Sequence, residues 1–599
     1  MMFKKTHVFI FLFCAAIHLG TAQQSKIHSH NDYLQNVPFW NAYANGLNSI
    51  EVDIFLKNDT LFATHSEFDI KKGHTIENLY LRPIQQAIAL QFGELKELQL
   101  LVDIKSDAHA TLKKLIAVLE RYPEIIRNNN IAIVISGNRP PVDTYLNYPD
   151  YIQFDYQSLN KINNKKVWDK IALISLNFSA FSPWNGKGRL TADDHEKVKA
   201  IIDKAHSYDK PFRFWATPDS KTAWRAFTDM GVDFINTDMP YASSSYLKTL
   251  RQRVYHNQIS SEVYAPTFSS DQKNTLVKNV ILLIGDGNGL TQISSATLAN
   301  GGDLTLTQLK SIGLLKTQSA DDFTTDSAAA GTALATGEKT NNRAIGVAPD
   351  GQALVNITEL LSEHGFISGC ITTDNISGAT PSAFYAHRKD RSDSNGIISD
   401  LSKSKLSLII GGGALEIEKS KTDIGFTLVE SLNTVGQSKE DKICYFLSKE
   451  DVPSILEGRK NILAEATKNG LKFLQAKGKP FFLMVEGAHI DSYGHHNEVS
   501  GIVSEGIDFD RAVTEAIKFA DAHEHTLVII TADHETSGFS IPQGSLKNKM
   551  IEGDFTTHDH TGTMVPIFAY GPKSNQFQGV YENKEVFKKI IKVLGVAAQ

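Results

Sequence analysis

Cysteine is scarce in this sequence, and its scarcity excludes two ways of holding a fold together. The 599 residues include three cysteines, one of them within the first twenty positions. The other two, Cys370 and Cys444, could form a single disulfide, which amounts to neither a disulfide framework nor a cysteine-based metal site. Because Cys370 lies in an apolar run, a buried thiol is the default expectation for it.

A strong charge of either sign is absent as well. Lys and Arg total 61 and Asp and Glu total 67, so the formal net charge is -6. This balance gives no indication of nucleic-acid binding and carries little information about other partners. At this length we expect two or more globular domains, each with an ample core.

A long hydrophobic run is the third missing feature. The apolar stretch Val8–Ile17 is shorter than a membrane span, so no membrane anchor is expected there. It follows Lys4 and Lys5 and precedes the small residues Gly20–Ala22, an order typical of a cleavable secretory signal peptide. We therefore predict a signal peptide over residues 1–22 and a periplasmic or secreted mature protein.

Short β-rich runs alternate with helical stretches in the first half of the chain. The clearest of these runs are Ser49–Phe55, Leu98–Ile104, Ile131–Ser136, Ile171–Ser175, Phe212–Ala216 and Val232–Asn236. Repeated β/α units predict a (β/α)8 barrel of the TIM type over residues 23–245, with its chemistry at the carboxyl ends of the strands. A linker is predicted over 246–275 and a second α/β domain over 276–599.

Polar residues fall at or near the predicted strand ends of the barrel. Glu51 and Asp53 are two residues apart, so on a strand both point to one side and can reach one hard cation. His30 and His65 could act as acid and base on a phosphodiester. Each of these residues alone would be read as ordinary surface, but their joint placement favours a site.

The order of these residues resembles the glycerophosphodiester phosphodiesterase and phosphoinositide phospholipase C superfamily. The segments that carry the resemblance are Ile27–Asp32, Ile50–Asp53, Thr64-His65, Val102–Lys105, Phe214–Asp219 and Gly231–Pro240. The resemblance implies a barrel site with one divalent cation, either Ca²⁺ or Mg²⁺. The residues it implies are the catalytic pair His30 and His65, the metal ligands Glu51, Asp53 and Asp103, and the substrate contacts Lys105 and Trp215.

The barrel departs from that superfamily at several positions. Asn31-Asp32 stands where Arg-Gly is usual, Ser66 stands where Asp is usual, and Asp103 replaces a Glu. Loss of a bidentate phosphate-binding arginine leaves the substrate open. It also leaves open whether the barrel turns a substrate over or only binds.

A serine opens a run of small residues in the second half, at Thr324–Ala333. Asp326 precedes Ser327, so the hydroxyl would lie at a helix N-terminus, where free N–H groups and the helix dipole favour an anion. Taken alone, this is as well explained as an ordinary N-cap. Potential metal ligands in neighbouring segments favour a phosphoserine nucleophile instead.

Acidic residues and histidines follow the apolar strand-like runs of the second half. Asp286 ends one run, Asp533 and His534 end another, and Asp491 and His495 are one helical turn apart. Because carboxyl ends of parallel strands meet at one sheet edge, these residues predict a multinuclear metal site in one crevice. Mixed imidazole and carboxylate ligands suit Zn²⁺, and carboxylate and hydroxyl oxygens suit Mg²⁺.

The second half resembles the alkaline phosphatase family from about Asn279 to Gly595. The segments that carry the resemblance are Gly285–Gly287, Thr325–Ala329, Ala379–Pro381, Ala386–Arg391, Leu408–Gly413, Val485–His495, Thr531–His534 and His560–Gly562. It implies an α/β sandwich with a mostly parallel central sheet, two Zn²⁺ and one Mg²⁺. The implied residues are the nucleophile Ser327, the phosphate clamp Arg391, one zinc set of Asp491, His495 and His560, a second of Asp286, Asp533 and His534, and a magnesium set of Asp286, Thr380 and Glu486.

Two histidines and one glycine qualify this assignment. His496 and His558 lie beside assigned ligands, and the constant spacing that follows His560 favours His560 over His558. Gly378 stands where relatives carry an Asp or His that tunes the third metal site. We therefore expect a more open phosphate pocket in this chain.

Together the two halves predict a bifunctional phosphoesterase. The barrel would cleave phosphodiesters, and the phosphatase would release phosphate from the resulting monoesters. The alternative is an alkaline phosphatase whose barrel serves only as a binding or positioning module. The expected partners are small phosphate monoesters and diesters, with homodimer formation left open.

Overall fold

The computed structural model describes residues 25–93 and 97–597, so the predicted signal peptide lies outside the described residues. The chain divides into two compact units, one ending at Thr249 and the other beginning at Leu250. Within the described ranges, no helix combines the length and apolar character that a membrane crossing requires.

The first unit is a closed barrel of eight parallel strands with one added hairpin strand. Its strands are β1 (Lys26–Ser29), β2 (Ser49–Lys57), β3 (Thr60–Ala63), β4 (Leu98–Ile104), β5 (Ile131–Gly137), β6 (Ile152–Tyr156), β7 (Ile171–Asn177), β8 (Phe212–Trp215) and β9 (Phe234–Thr237). Their order is β1-β9-β8-β7-β6-β5-β4-β2, and β1 pairs with β2 to close the ring. The antiparallel β3 pairs with β2. The predicted barrel is confirmed.

Helices connect the strands of the barrel, as the β/α pattern predicted. They are α1 (Trp40–Ala44), α2 (Arg82–Ala89), α3 (Ala108–Leu119), α4 (Pro123–Ile126), α5 (Lys165–Asp169), α6 (Ala192–His206), α7 (Lys221–Met230) and α8 (Pro240–Lys248). Their boundaries follow local chemistry. For example, the Ser220 hydroxyl accepts from Ala223 N to cap α7, and Gly231 ends that helix at φ 85°.

The second unit is built on a ten-stranded sheet. The strands of this unit are β10 (Val254–His256), β11 (Asn279–Gly285), β12 (Ser311–Lys316), β13 (Ile367–Asn375), β14 (Leu406–Gly412), β15 (Thr427–Leu428), β16 (Ile443–Phe446), β17 (Phe481–Gly487), β18 (Thr526–Ala532), β19 (Glu535–Thr536), β20 (Ser540–Ser545), β21 (Met550–Asp554), β22 (His560–Thr561), β23 (Val565–Tyr570) and β24 (Gly579–Glu582). The large sheet runs β15-β16-β14-β13-β17-β11-β18-β23-β12-β24 and is parallel except where β23 pairs with β18 and β12. The predicted mostly parallel sheet is confirmed.

Helices lie on both faces of this sheet. They are α9 (Leu250–Arg253), α10 (Leu290–Ala299), α11 (Ser327–Thr336), α12 (Ile357–Glu363), α13 (Ala379–Ser382), α14 (Ser394–Lys403), α15 (Ala414–Ser420), α16 (Leu432–Gln437), α17 (Ile462–Ala476), α18 (His489–His495), α19 (Val499–Ala522) and α20 (Glu585–Leu594). Alternate residues of β11 enter different cores: Leu282 packs in one and Leu283 in the other. A strand covered on both faces must be apolar at every position, which explains the uninterrupted run Val280–Ile284.

The segment predicted as a linker, 246–275, is built into the folded units. From Leu250 onward it belongs to the second unit, where β10 pairs with β21. Ser261 donates to Asp510 Oδ2 at 2.8 Å, and Tyr264 donates to Asp521 Oδ2 at 2.8 Å. The segment lacks an apolar stripe because polar contacts with α19 hold much of it in place.

The two cysteines of the second unit are both free and buried. Cys370 on β13 and Cys444 on β16 each align with Ile409 of the intervening strand β14. One intervening strand places their Cα atoms roughly 10 Å apart, beyond the reach of a disulfide. The single disulfide left open by the sequence is therefore excluded by the fold.

Candidate active sites

Ser327 is the first residue of α11 and is buried. The Asp326 carboxylate caps this helix by accepting from Ala329 N at 3.0 Å. The next residues are small, so the helix packs closely inside the unit and keeps its N-terminus pointed into the crevice. The Ser327 hydroxyl lies 3.4 Å from His534 Nε2. The N-cap reading and the nucleophile reading are thus compatible, because the cap is Asp326 and the reactive candidate is Ser327.

One group of potential metal ligands joins α18 to β22. Asp491 and His495 lie one turn apart on α18, with His495 Nε2 3.3 Å from Asp491 Oδ2. His560 Nε2 lies 3.4 Å from Asp491 Oδ1 and 3.1 Å from His495 Nε2. His558 is turned away, since its Nδ1 meets the His495 carbonyl and its Nε2 meets Asn497. The structure therefore brings together the three residues assigned to the first zinc set.

A second group of potential ligands lies at the ends of the adjacent strands β11 and β18. His534 Nε2 is 3.4 Å from Asp286 Oδ1 and 3.4 Å from Asp533 Oδ2. Asp286 Oδ1 and Asp533 Oδ2 are buried and have no hydrogen-bond partner in the described part of the chain. Buried carboxylate oxygens without a hydrogen-bond partner, close to an imidazole nitrogen, form a donor set that suits a cation.

The tautomer of each histidine is set by what its Nδ1 contacts. Nδ1 of His560 lies 2.7 Å from the Thr325 carbonyl, and Nδ1 of His495 lies 2.6 Å from the His558 carbonyl. Nδ1 of His534 lies 3.2 Å from the Thr536 hydroxyl, which itself donates to Asp491. A proton on each Nδ1 leaves the Nε2 lone pair free, which is the state a zinc ligand requires. The donor set therefore fits zinc.

Burial shifts the pKa values of the ionisable side chains in this crevice. Burial, reinforced by Asp533 and Asp491, raises the pKa of Asp286 well above its usual range. Burial followed by the Asp491 charge raises the pKa of Asp533 to about 6. Burial and the neighbouring His560 lower the pKa of His534 to about 3, so this imidazole is neutral at physiological pH. Buried carboxylates that oppose one another in this way are stabilised by cations.

Glu486 and Thr380 lie beyond Asp286 and are buried. Glu486 is on β17, next to β11, and accepts a hydrogen bond from Thr372 on β13. Burial, followed by the charge of Asp374, raises the pKa of Glu486 to about 8. Thr380 is on the short helix α13. These oxygen donors fit the hard cation that the resemblance places here.

Arg391 reaches the same crevice from the loop after α13. Its guanidinium Nη1 lies 3.2 Å from Asp326 Oδ2, directly beside the nucleophile candidate. Asp326 thereby serves two purposes, since its other oxygen caps α11. The side chain is about a third exposed, which leaves donors free for an anion entering from solvent.

The barrel contains a separate acidic group. Oxygens of Glu51, Asp53 and Asp103 lie within 4.8 Å of one another. Asp53 and Asp103 are register partners on β2 and β4, and Glu51 points to the same side as Asp53. Lys105 Nζ lies 3.2 Å from Asp103 Oδ1 and 3.4 Å from Asp53 Oδ2. Burial, followed by the Glu51 charge, raises the pKa of Asp103 to about 6.

Both predicted barrel histidines contact this acidic group. His65 Nδ1 lies 2.7 Å from Asp53 Oδ2. His30 Nε2 lies 3.8 Å from Glu51 Oε1, while its Nδ1 meets Asp238 at 2.8 Å. Net attraction to acidic neighbours raises the pKa of His30 despite its burial. Trp215 ends β8, and its indole nitrogen is buried with no partner among the residues described.

The departures in the barrel are explained by local structure. Asp32 accepts from Phe39 N at 2.6 Å and from the Tyr80 hydroxyl at 2.9 Å, which anchors the loop after β1. Asn31 adopts φ 48°, a left-handed conformation that asparagine tolerates. The Ser66 hydroxyl caps a short helical turn by accepting from Phe68 N. Asp32 and Ser66 thus hold the backbone of the site.

Several supporting residues were missed at the sequence level. Arg213 Nη1 lies 2.7 Å from Glu51 Oε2, and His28 Nε2 lies 2.8 Å from the same oxygen. Thr536 joins His534 to Asp491 in the second unit. The available signal was spacing, since His28 on β1 lies two residues before His30, the residue that follows this strand. Thr536 follows His534 in the same way, but a lone threonine gives no chemical signal.

Comparison with known proteins agrees with this division into two units. Residues 277–427, 416–551 and 543–596 match the family described as Alkaline phosphatase. Residues 19–138 match the AIM6-like phosphodiesterase domain, and residues 211–241 match the glycerophosphoryl diester phosphodiesterase family. The matches therefore attach phosphoesterase chemistry to both halves of the chain.

Individual relatives match the second half. Alkaline phosphatase 4 of Bacillus subtilis is 30% identical over 414 residues, covering 54% of this chain and 90% of that protein. The solved alkaline phosphatase of the Antarctic bacterium TAB5 is 38% identical, with a TM-score of 0.52, and covers 54% of this chain and 100% of that chain. A histidine-to-glutamate variant of the TAB5 enzyme, solved with Mg bound in its M3 site, gives 38% identity over the same coverage and a TM-score of 0.51. These relatives imply that the second unit binds divalent metal ions.

Proposed function

Because the chain belongs to the alkaline phosphatase family and is a phosphoesterase, we propose that Ser327 carries the phosphoryl group during hydrolysis of phosphate monoesters. The observation that supports this most strongly is the position of its hydroxyl, 3.4 Å from His534 Nε2 at the N-terminus of α11. Two groups of potential metal ligands flank it.

The proposed hydrolysis has two steps. The Ser327 oxygen forms a bond to phosphorus, the ester P–O bond breaks, and the alcohol leaves with a proton. Water then cleaves the phosphoserine and releases phosphate. Arg391 and the N–H groups at the start of α11 hold the phosphoryl oxygens in place.

The metal ligands fit two zinc ions and one magnesium ion. We propose Asp491, His495 and His560 for one zinc, Asp286, Asp533 and His534 for the other, and Asp286, Thr380 and Glu486 for magnesium. When bound, the zinc ions would activate the serine hydroxyl and stabilise the leaving oxygen. The neutral state of His534 and the Nδ1 contacts of all three histidines prepare the protein for this role.

Substitution of the nucleophile tests this function. In Ser327→Ala, phosphate release from p-nitrophenyl phosphate should fall by at least about 1,000-fold, because no residue replaces the attacking oxygen. Zinc content should stay at the wild-type level. Acid-quenched wild type should carry phosphate on the peptide containing Ser327. Retention of activity in the variant would disprove the assignment.

For the barrel we propose metal-dependent cleavage of phosphodiesters. The supporting observation is the convergence of Glu51, Asp53 and Asp103 with His65 against one of these carboxylates. The cation would be Ca²⁺ or Mg²⁺, with His30 and His65 exchanging protons and Lys105 and Trp215 facing the substrate. The product, a monoester, is the substrate of the second unit, and one chain carrying both sites raises its local concentration.

The barrel proposal has its own test. Ser327→Ala incubated with a glycerophosphodiester should accumulate the monoester, because only the second reaction is blocked. His65→Ala should lose diester cleavage while keeping hydrolysis of p-nitrophenyl phosphate. If His65→Ala changes neither reaction, the barrel is a binding or positioning module, an alternative that the structural duties of Asp32 and Ser66 favour.

We further propose export to the periplasm or the medium, because residues 1–22 have the pattern of a cleavable signal peptide. Fractionation of cells that express the full chain should recover it outside the cytoplasm. N-terminal sequencing should then begin at Gln23. An intact N-terminus on cytoplasmic protein would contradict this proposal.

A further inference from the structure

Gly378 is the N-cap of α13, the helix that carries Thr380. Its backbone has φ −58° and ψ 161°, a conformation open to any amino acid. Backbone strain therefore does not explain the glycine. From the sequence, the missing side chain predicts a more open phosphate pocket.

The space beside Gly378 is filled by Asp374. A Cβ atom added at Gly378 would lie 2.1 Å from Asp374 Oδ2 and 2.7 Å from Asp374 Cγ. Both residues are half-buried, so the carboxylate is neither lost in the core nor freely exposed. The space that a side chain on Gly378 would enter is therefore occupied by Asp374, a residue of β13.

Asp374 is held in this position by the residues around the third metal site. Its backbone N–H donates to the Thr372 hydroxyl at 2.8 Å, and that hydroxyl donates to Glu486. Its Oδ1 accepts from Asn375 N at 2.7 Å, which leaves Oδ2 directed at Gly378. Gly378 N donates to the Asn375 carbonyl at 2.8 Å, closing the turn between β13 and α13. These hydrogen bonds therefore fix the orientation of the Asp374 carboxylate.

We propose that Asp374 replaces the side chain missing at Gly378 and supplies the outer carboxylate of the magnesium site formed by Asp286, Thr380 and Glu486. This inference rests on the proposed metal assignment of the second unit. Magnesium binds through one or two carboxylates and keeps several waters, so a carboxylate beyond direct reach can hold its water shell. Asp374 is thereby a positioning residue that sets affinity for magnesium.

The first test measures magnesium binding directly. Mg²⁺ is titrated calorimetrically into full-length protein that is loaded with zinc and stripped of magnesium. Asp374→Asn, which keeps the shape, should raise the dissociation constant about tenfold. The control is Asp451→Asn, which removes a nearby negative charge. Asp451 accepts a hydrogen bond from the Asn375 side chain and does not occupy the space beside Gly378. This control should stay within twofold of wild type.

The second test exchanges the two positions. Gly378→Asp should weaken magnesium binding, because its side chain and that of Asp374 would occupy one space. The double variant Asp374→Gly, Gly378→Asp returns a single carboxylate to that space and should recover at least half of the lost binding energy. Zinc content and thermal midpoint, measured on every variant, show whether each protein is folded.

The outcomes separate this inference from the function on which it rests. If wild type fails to hydrolyse p-nitrophenyl phosphate, the proposed function is wrong. If wild type is active but Asp374→Asn binds magnesium as wild type does, the role of Asp374 is wrong and the phosphatase assignment stands. The role of Asp374 would also be overturned if Gly378→Asp and the double variant Asp374→Gly, Gly378→Asp bound magnesium with the same dissociation constant.

Discussion

Single residues in the second unit matter most where they orient a ligand. Thr536 illustrates this, because its hydroxyl meets the Nδ1 of His534 and donates to Asp491. One side chain therefore contacts a residue from each of the two proposed zinc sets. Loss of such a supporting contact typically lowers metal affinity about tenfold to a hundredfold.

Thr536→Val should weaken zinc binding about tenfold to a hundredfold, because the isosteric side chain can accept no hydrogen bond from His534 and donate none to Asp491. Competition with a chromogenic chelator measures the change. Thr297→Val is a matched control, since the Thr297 hydroxyl donates to the Ile293 carbonyl within α10, away from the proposed ligands. Equal zinc affinity in both variants would show that Thr536 does not orient the ligands.

His387 contributes stability that depends on pH. Its Nε2 lies 3.0 Å from Glu359 Oε1 and its Nδ1 lies 2.8 Å from the Gly346 carbonyl. The bond to Glu359 raises the pKa of His387 above its usual 6.5 in the folded protein. The stabilisation is complete below the unfolded pKa and is lost as pH rises through the folded pKa.

We therefore expect His387→Gln to reduce the free energy of unfolding by about 1 kcal/mol more at pH 6 than at pH 9. Urea unfolding at the two pH values gives the difference. Glu359→Gln should remove the same pH dependence, and adding His387→Gln to it should cause no further loss of pH dependence. An effect of the same size at both pH values would contradict the ion-pair origin.

At the scale of elements, the N-terminus of α11 is important both for stability and for the proposed reaction. Asp326 Oδ1 accepts from Ala329 N and from Arg343 N, while its Oδ2 meets Arg391. The helix cap and the orientation of Arg391, the proposed phosphate clamp, therefore depend on one carboxylate. Substitutions that separate cap from charge can tell the two roles apart.

Asp326→Ala should lower stability by about 1 to 2 kcal/mol, the usual value of a lost N-cap. Asp326→Asn keeps an accepting oxygen for the cap, so its stability should stay close to wild type. Without the charge that orients Arg391, the asparagine variant should instead show a raised KM for p-nitrophenyl phosphate. Denaturation curves and steady-state kinetics on both variants test this, and identical behaviour of the two would refute the division of roles.

At the scale of the whole molecule, the chain is two compact units with separate chemistry. The inside of the barrel carries a buried ion pair, Arg213 with Glu51, beside the buried His28. Burial and the Arg213 charge lower the pKa of His28 to about 3, so Arg213 rather than His28 balances the Glu51 charge. The second unit has its own two cores, one on each face of its sheet.

Arg213→Met should destabilise the barrel by about 3 to 5 kcal/mol, because Glu51 would stay buried without its partner. Diester cleavage should be lost. Hydrolysis of p-nitrophenyl phosphate, per zinc-loaded molecule, should remain within twofold of wild type if the units fold independently. A parallel loss of both activities would show that the phosphatase depends on the barrel.

The sequence predicted both architectures, and it predicted phosphoesterase chemistry for both halves of the chain. Strand and helix periodicity and motifs such as Thr325–Ala329 each involve residues that are close together in the chain. The sequence alone is therefore enough to identify them. Two barrel strands are not among the clearest β-rich runs of the sequence: β1 follows the predicted signal peptide within a few residues, and β6 at Ile152–Tyr156 is short.

Tertiary structure alone decided which residues support those sites. Whether Cys370 can reach Cys444 depends on one strand between them, and whether the linker segment is free depends on polar partners far along the chain. That Asp374 fills the space at Gly378 depends on how a turn folds back. Local sequence could not specify these features because each depends on the distance between side chains, which packing of the whole unit sets.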